Sequence, residues 1–518
     1  MRVKSIAGVF MGISVLLSAC SNQSQQTGAV QTAGMEADLT ESGVEAAAED
    51  KPEEAAEEII RIIHVNDIHG YVEETEALIG YPKLAAYIDQ MKEEYPNTLA
   101  LDAGDTYSGS PEASFDKGES IFPILNTIAF DAMTLGNHDV YLGEERLTSL
   151  IERMNYPVLG GNIKASQGSI WEDYTIVTLA NGMKVGMIAA TTTAPAGAEF
   201  LSVVDSTQRL VDLVKPQTDV VVALVHLGTD ETFENNSQMI ADGVTGIDVI
   251  IDGHSHTVLE EGMVVNDILI AQTGEYGNYV GLVELTLKGD TVVSAAARLL
   301  SKEDLAAVED KPETRQAVDE LMRKSDEYFA QEAGETAVDL VAARELIRTG
   351  ETNMGNLYAD IVRETLGAEL AICAAGNIGG DIPAGVITKK DILQMARVDV
   401  TFTLADVTGE FLLKLLNISV GDYPEPSGRF AQVSGMTYEF NPELEAGDRI
   451  TAVVINGEPL EPQRTYRAAI NSLLLNGHEE PVIVEVHPEM SSVILENYIS
   501  RNPPVNPEVE GRITIIKE

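Results

Sequence analysis

Gly253-His254-Ser255-His256, just beyond the largely apolar run 247–251, decides how the rest of this chain is read. In an extended segment, alternation puts the two imidazoles on one side. Working outward, four more short segments share the pattern. Asp67-Ile68-His69-Gly70 follows the apolar run 59–65, and Gly104-Asp105 follows 98–101. Gly136-Asn137-His138-Asp139 follows 132–135, and His226-Leu227-Gly228 follows 220–225. Apolar runs of this length predict buried parallel strands, and in open α/β sheets ligands gather at the carboxyl ends of such strands. The five segments hold five of the eight histidines. Their mixed Asp, Asn and His donors suit a pair of divalent ions such as zinc or manganese, with one carboxylate bridging them. One Asp-x-His is an ordinary turn; all five segments in this order are a metal site.

The bulk composition narrows the alternatives. A chain of 518 residues predicts two or three domains, and 44% hydrophobic content supplies enough apolar material to fill them. Against 34 basic residues stand 83 acidic ones, a formal charge of -49 that repels nucleic acid polymers and anionic headgroups. Anionic substrates would approach slowly too, unless a cation sits in the site. Two cysteines, Cys20 and Cys373, make no disulfide framework. No segment calls for an obligate protein partner.

At the amino terminus, Arg2 and Lys4 precede an apolar stretch, and Leu17-Ser18-Ala19-Cys20 is a small-residue site ending in cysteine. That tetrapeptide resembles the bacterial lipoprotein signal, which implies a signal peptide over 1–19, lipidation of Cys20, and a membrane-anchored protein working outside the cytoplasm, at the cell surface or in the periplasm. Beyond it no run approaches the ~18 apolar residues that a span needs. Residues 20–58, Gln/Ser/Thr-rich and then Glu/Ala-rich, read as a disordered acidic stalk. A first globular domain is expected over 59–300, with helices near 81–92 and 144–154 and closing strands near 279–287 and 291–299. The polar, helix-favouring stretch within 301–335 predicts a linking helix. A second α/β pattern fills 336–518, with helices near 353–365, 389–395 and 409–416 and strands near 370–373, 401–405, 450–455 and 467–470.

The motifs and their order resemble the calcineurin-like metallophosphoesterases, and the two-domain layout resembles the 5′-nucleotidase and UDP-sugar hydrolase family. The resemblance implies an α/β protein: an N-terminal β-sandwich flanked by helices, a linker helix, then a smaller α/β substrate-binding domain. It implies that Asp67, His69, Asp105 and His256 hold one metal ion and Asp105, Asn137, His226 and His254 the other, with Asp105 the bridge. The implied reaction releases phosphate from a nucleotide by attack of a hydroxide bridging the two cations. His138 has no ligand role in that pattern and would act as the catalytic residue, stabilising charge on the phosphoryl group or leaving oxygen. The family usually orients this histidine with an aspartate three residues on, where this chain has Tyr141; Asp139 is not a substitute in register. His64, inside an apolar strand, reads as a core histidine.

The second domain matches less closely. Arg348 falls where the family often has a substrate-contacting arginine, and Phe430 falls in the stretch whose aromatic residue stacks on the nucleobase, so both are expected to bind substrate. The family's Asn-Gly-Gly-Gly-Ile-Arg turn aligns with Ala374-Ala375-Gly376-Asn377-Ile378-Gly379, which loses a guanidinium at Gly379. The loop Asn476-Gly477-His478-Glu479-Glu480-Pro481 offers no second aromatic. Three readings stay open: a 5′-nucleotidase; the same chemistry on a cyclic nucleotide, a nucleotide sugar or a non-nucleotide ester; and a catalytically idle surface binding lipoprotein.

Overall fold

The computed structural model describes residues 57–107, 109–140, 143–164, 170–193, 199–230, 232–471, 474 and 481–516. The expectations for the leader, Cys20, most of the stalk, Tyr141 and 476–480 lie outside these residues. Among the described residues no helix is long and apolar enough to cross a membrane.

Two six-stranded sheets build the first half. One runs Thr291–Leu300, Val280–Lys288, Glu57–Val65, Thr98–Asp102, Ala132–Thr134, Val158–Leu159. The other runs Met263–Val265, Ile268–Ala271, Val249–Ile251, Val220–His226, Lys184–Thr191, Tyr174–Thr178. Strands Glu57–Val65, Thr98–Asp102, Ala132–Thr134 and Val158–Leu159 pair in parallel. So do Lys184–Thr191, Val220–His226, Val249–Ile251 and Ile268–Ala271. Both faces of these strands are buried, which is why they read as continuous apolar runs and not as alternation. Ile60, Ile62, Leu99 and Leu101 join Val185, Val220, Val222 and Val249 in one core between the sheets. Their neighbours Ile63, Val65 and Ala100 face the other way, against Leu84, Ala85 and Ile88 of the helix Tyr81–Glu94. On the far side, Ile188, Val221, Val225 and Ile250 pack on Leu210, Val211 and Val214 of the helix Val203–Val214. The expected helix-flanked sandwich is present.

His64 lies in the first strand opposite Gly281 of its antiparallel neighbour, and a Cβ at 281 would come within 2.0 Å of the imidazole Nε2. Glycine makes the room for the ring. Neither nitrogen has a hydrogen-bond partner, and burial pulls the imidazole down to about 3, so it is held neutral.

The linking helix is shorter than the polar stretch predicts, Pro312–Phe329. Val318 and Leu321 pack into the first half, while its carboxyl end lies beside the second, where Lys389 Nζ sits 3.9 Å from the Tyr328 ring. Beyond it a five-stranded sheet runs Ala431–Ser434, Leu370–Ala374, Thr465–Asn471, Phe402–Thr408, Val482–Val486. A four-stranded sheet runs Glu458–Pro459, Ile450–Ile455, Met436–Phe440, Ile513–Ile515. The helix Asn353–Leu366 begins where the Thr352 hydroxyl accepts the Gly355 N–H and stops at Gly367, whose φ of 63° ends the helix. Thr388 and Asp391 form a reciprocal cap on Lys389–Met395.

Candidate metal centre

The parallel order of both sheets brings the five motif segments to one edge of the sandwich. Asp67, Asp105 and Asn137 follow three strands of the first sheet; His226 ends one strand of the second and His254 and His256 follow another. Bringing short loops this close costs backbone freedom. Among the described residues ten non-glycine residues have positive φ, and Asp67, His69, Asp105, His254 and His256 are five of them. Such left-handed conformations are uncommon outside glycine and concentrate where geometry is imposed by function. Among the motif glycines Gly136 carries the tightest approach, since a Cβ there would meet Asp105 Oδ1 at 2.1 Å.

The donors converge. His256 Nε2 lies 3.3 Å from Asp67 Oδ1 and 3.3 Å from His69 Nε2. Asp105 Oδ2 lies 3.1 Å from His226 Nε2 and 3.8 Å from His69 Nε2, which puts it between the two groups. Two sets of ligand atoms close enough for one ion result: Asp67, His69, His256 and Asp67, Asp105, His226. Asp67 is therefore common to both sets, alongside the sharing expected of Asp105. The His254 ring lies 5.2 Å from that of His226, and the backbone N–H of His254 donates to Asp67 Oδ2 at 2.9 Å.

A cation fits these residues on a specific observation. Asp67 Oδ1 and Asn137 Oδ1 are buried acceptors without a hydrogen-bond donor, and His226 Nε2 has no aligned hydrogen bond. Orphaned buried polar atoms are costly and rare. Burial alone would lower His226, but the charges of Asp105 and Asp67 outweigh it and push the imidazole up to about 10. Burial likewise works to raise Asp105, yet His226 beside it holds the carboxyl well below its ordinary range. A divalent ion would take the place of the proton between them.

Several supporting residues escaped the sequence reading. Asp139 is fully buried, and its two oxygens accept N–H groups from Asp105 (2.8 Å), Thr106 (3.1 Å), Tyr107 (3.0 Å) and Gly136 (2.9 Å). That leaves no acceptor for a carboxyl proton and favours the ionised form, although burial pushes the group upward. Its carboxylate is committed to shaping the Asp105 loop and is not available to orient His138. Asp252 accepts from the N–H groups of Leu227, Gly228 and Gly253 at 2.8–3.1 Å, which ties two metal loops together. The His226 ring is fixed by Nδ1 donating to the Ala103 carbonyl at 2.7 Å, and that of His256 by an ion pair from Nδ1 to Glu275. Such outer contacts set tautomer and ring orientation. Asp102, which accepts the Gly104 N–H at 3.0 Å and the Thr106 hydroxyl at 2.7 Å, and Asp252 carry a readable signal, an aspartate closing an apolar run just before a motif; Glu275 carries none.

His138 is exposed, its ring 4.9 Å from that of His69, and its backbone N–H donates to Asp105 Oδ1 at 2.7 Å. The exposed ring stands beside the donors.

In the second half the expectations divide. Arg348 is partly exposed at the end of the short helix Arg344–Ile347, with Nη1 3.8 Å from where a Cβ on Gly428 would sit. Partial burial, then Arg344 and Arg397, lower its affinity for a proton. Arg397 was not foreseen. Its Cβ and Cδ lie 3.0 Å from the place of a Cβ on Gly379, so its side chain crosses the position where the family's arginine is missing. It also lines a cleft of about 410 Å³ with Pro111 and Glu112 of the first half and Phe329 of the linking helix. Phe430 requires a correction. It is 1% exposed, packed 6.3 Å from the Phe440 ring in the main core, and presents no face for a base to stack on. An apolar ring at the start of a buried strand is drawn into the core by burial, whatever its motif context.

Residues 60–258 match the calcineurin-like phosphoesterase family and residues 332–485 the 5′-nucleotidase C-terminal domain. The chain is similar to the 5′-nucleotidase of Bos taurus, 27% identical over 88% of this chain and 90% of that one. It is also 27% identical to the trifunctional nucleotide phosphoesterase of Bacillus subtilis over 88% of this chain, spanning only 35% of that longer protein. Among solved structures, the 5′-nucleotidase precursor of Thermus thermophilus superposes with a TM-score of 0.56 at 26% identity, covering 89% of this chain and 100% of that one. The fold also matches NAD nucleotidase of Haemophilus influenzae, with a TM-score of 0.63 at 18% identity over 89% and 99% of the two chains. With both domains matched in order and the donor sets assembled, the chain belongs to the metallophosphoesterase/5′-nucleotidase family of metal-dependent phosphoester hydrolases.

Proposed function

We propose that this chain is an extracytoplasmic hydrolase that releases phosphate from nucleotides. The observation that carries the reading is the convergence of Asp67, His69, Asp105, His226 and His256 into two adjoining donor sets with His138 exposed beside them. Asp67, His69, Asp105 and His256 would hold one divalent ion, and Asp105, Asn137, His226 and His254 the other. Bound there, such ions acidify water and neutralise phosphoryl oxygens. Asp105 then keeps its carboxylate between the two sets, with its loop held by Asp139. His138 stabilises negative charge on the phosphoryl group or donates a proton to the leaving oxygen. Arg348 and Arg397 supply guanidinium groups for an anionic part of the substrate in a chain that otherwise repels anions.

A second reading, the same chemistry on another phosphoester, is favoured by one observation: buried Phe430 leaves the expected base platform missing. Phosphate release from AMP, UMP, a cyclic nucleotide, a nucleotide sugar and glycerol phosphate, after chelation and with metal restored, tests both. Release from none of them by metal-loaded protein defeats the proposal and leaves the idle binding protein.

The lipidated Cys20, the stalk over 20–58 and the domain limits at 300 and 335 belong to the same proposal. Support comes from Leu17-Ser18-Ala19-Cys20 and from the composition that follows it. Cys20→Ser should leave the chain unprocessed and out of the membrane fraction; unchanged fractionation refutes the anchor.

A further inference from the structure

Two aromatic residues of the first half lie together beside the candidate metal centre. The rings of Tyr71 and Tyr276 are 4.5 Å apart and tilted by 49°. Tyr276 is 5.8 Å from the His69 ring and 6.0 Å from that of His256. Tyr276 also adopts a φ of 58°, between Gly274 and Gly277 at 81° and 76°. Its N–H donates to the Asp67 carbonyl at 2.8 Å, which ties this conformation to the first metal loop. A left-handed conformation is a real outlier for a bulky residue and persists only where surrounding structure imposes it. Core packing does not account for it, because Tyr276 is only partly buried and Tyr71 is 38% exposed. Beside Tyr71 opens a cavity of about 190 Å³, bordered by Gly70, Leu78, Ser110 and Met322.

We infer that Tyr71 and Tyr276 form a platform for a planar aromatic ring on the leaving group, a nucleobase or an aryl group, alongside the phosphate site. This rests on the reading of the site as a phosphoester hydrolase and adds where the ring is held. An aromatic face accepts any planar ring, because stacking uses the π-face and not edge hydrogen bonds. The platform therefore holds rings without discriminating among bases, and stands in for the buried Phe430.

Binding of adenosine to the full-length protein under chelation, followed by equilibrium dialysis, measures the platform apart from catalysis. Tyr71→Ala should weaken it by about tenfold or more, with Tyr71→Phe restoring it. In kinetics, Tyr71→Ala and Tyr276→Leu should lower kcat/KM further for AMP and phenyl phosphate than for glycerol phosphate, mostly through KM. Equal losses for AMP and phenyl phosphate mark a general ring platform; a loss confined to AMP narrows it to nucleobases. The inference is overturned if the wild type binds no adenosine, if Tyr71→Ala binds it unchanged, or if all three esters lose equally. Protein that binds adenosine through Tyr71 yet releases no phosphate would defeat the proposed hydrolysis and leave the platform standing.

Discussion

The first half carries its chemistry in five segments at or just beyond the ends of strands, whereas the second half spreads Arg348, Arg397 and Phe430 over separate elements. In the first half each donor's position follows from local chain geometry plus the parallel sheet order. In the second half the useful surface depends on which side chains the core absorbs. Phe430 was absorbed, while Arg397 crosses Gly379 from another segment. A motif thus transfers a metal site more faithfully than a substrate pocket, because ligands are fixed by backbone turns and buried carboxylates, and pocket walls by packing.

The largest expected effect strikes the first half. Asp105→Asn keeps the shape of the side chain but removes the charge between the two donor sets. Metal content by elemental analysis should fall below two per chain, and phosphate release by about 100- to 1000-fold. Two ions bound at full activity would break the claim that this half is organised around Asp105. Next, Phe430→Ala tests the second half: a buried ring lost from the core should cost about 3–5 kcal/mol in urea denaturation and leave selectivity between AMP and UMP unchanged. Altered selectivity with unchanged stability would return Phe430 to substrate binding. His138→Ala should keep both ions and lower kcat roughly 100-fold. Arg397→Ala should raise KM by about tenfold for anionic substrates, the size of one lost charge-assisted contact. An unchanged KM would remove Arg397 from the pocket.

The last prediction concerns His64 and shows only below neutral pH. Its folded value of about 3 lies below the ordinary 6.5, so the unfolded chain binds the proton more readily. The contribution to stability is complete above pH 6.5 and is lost as pH falls from there toward 3. His64→Leu should flatten Tm against pH across that window. An unchanged slope would mean that other groups dominate acid lability.

Much of this protein is determined by its sequence. Runs such as 220–225 are apolar on both faces because both faces are buried, so strands, sheet class and metal loops could be located from local pattern alone. Asp67, His69, Asp105, Asn137, His226, His254 and His256 could be put forward as candidate ligands because each stands within a few residues of the end of such a run. The helix expected near 353–365 is present as Asn353–Leu366, bounded locally by Thr352 and Gly367. Tertiary structure alone decided the rest. Glu275 reaches His256, Asp139 gathers four N–H groups, Tyr276 lies against Tyr71, and Phe430 turns inward. Periodicity and turn chemistry act over a few residues. Which side chain meets which across the fold is set by close packing among distant segments, and a single sequence does not display that competition.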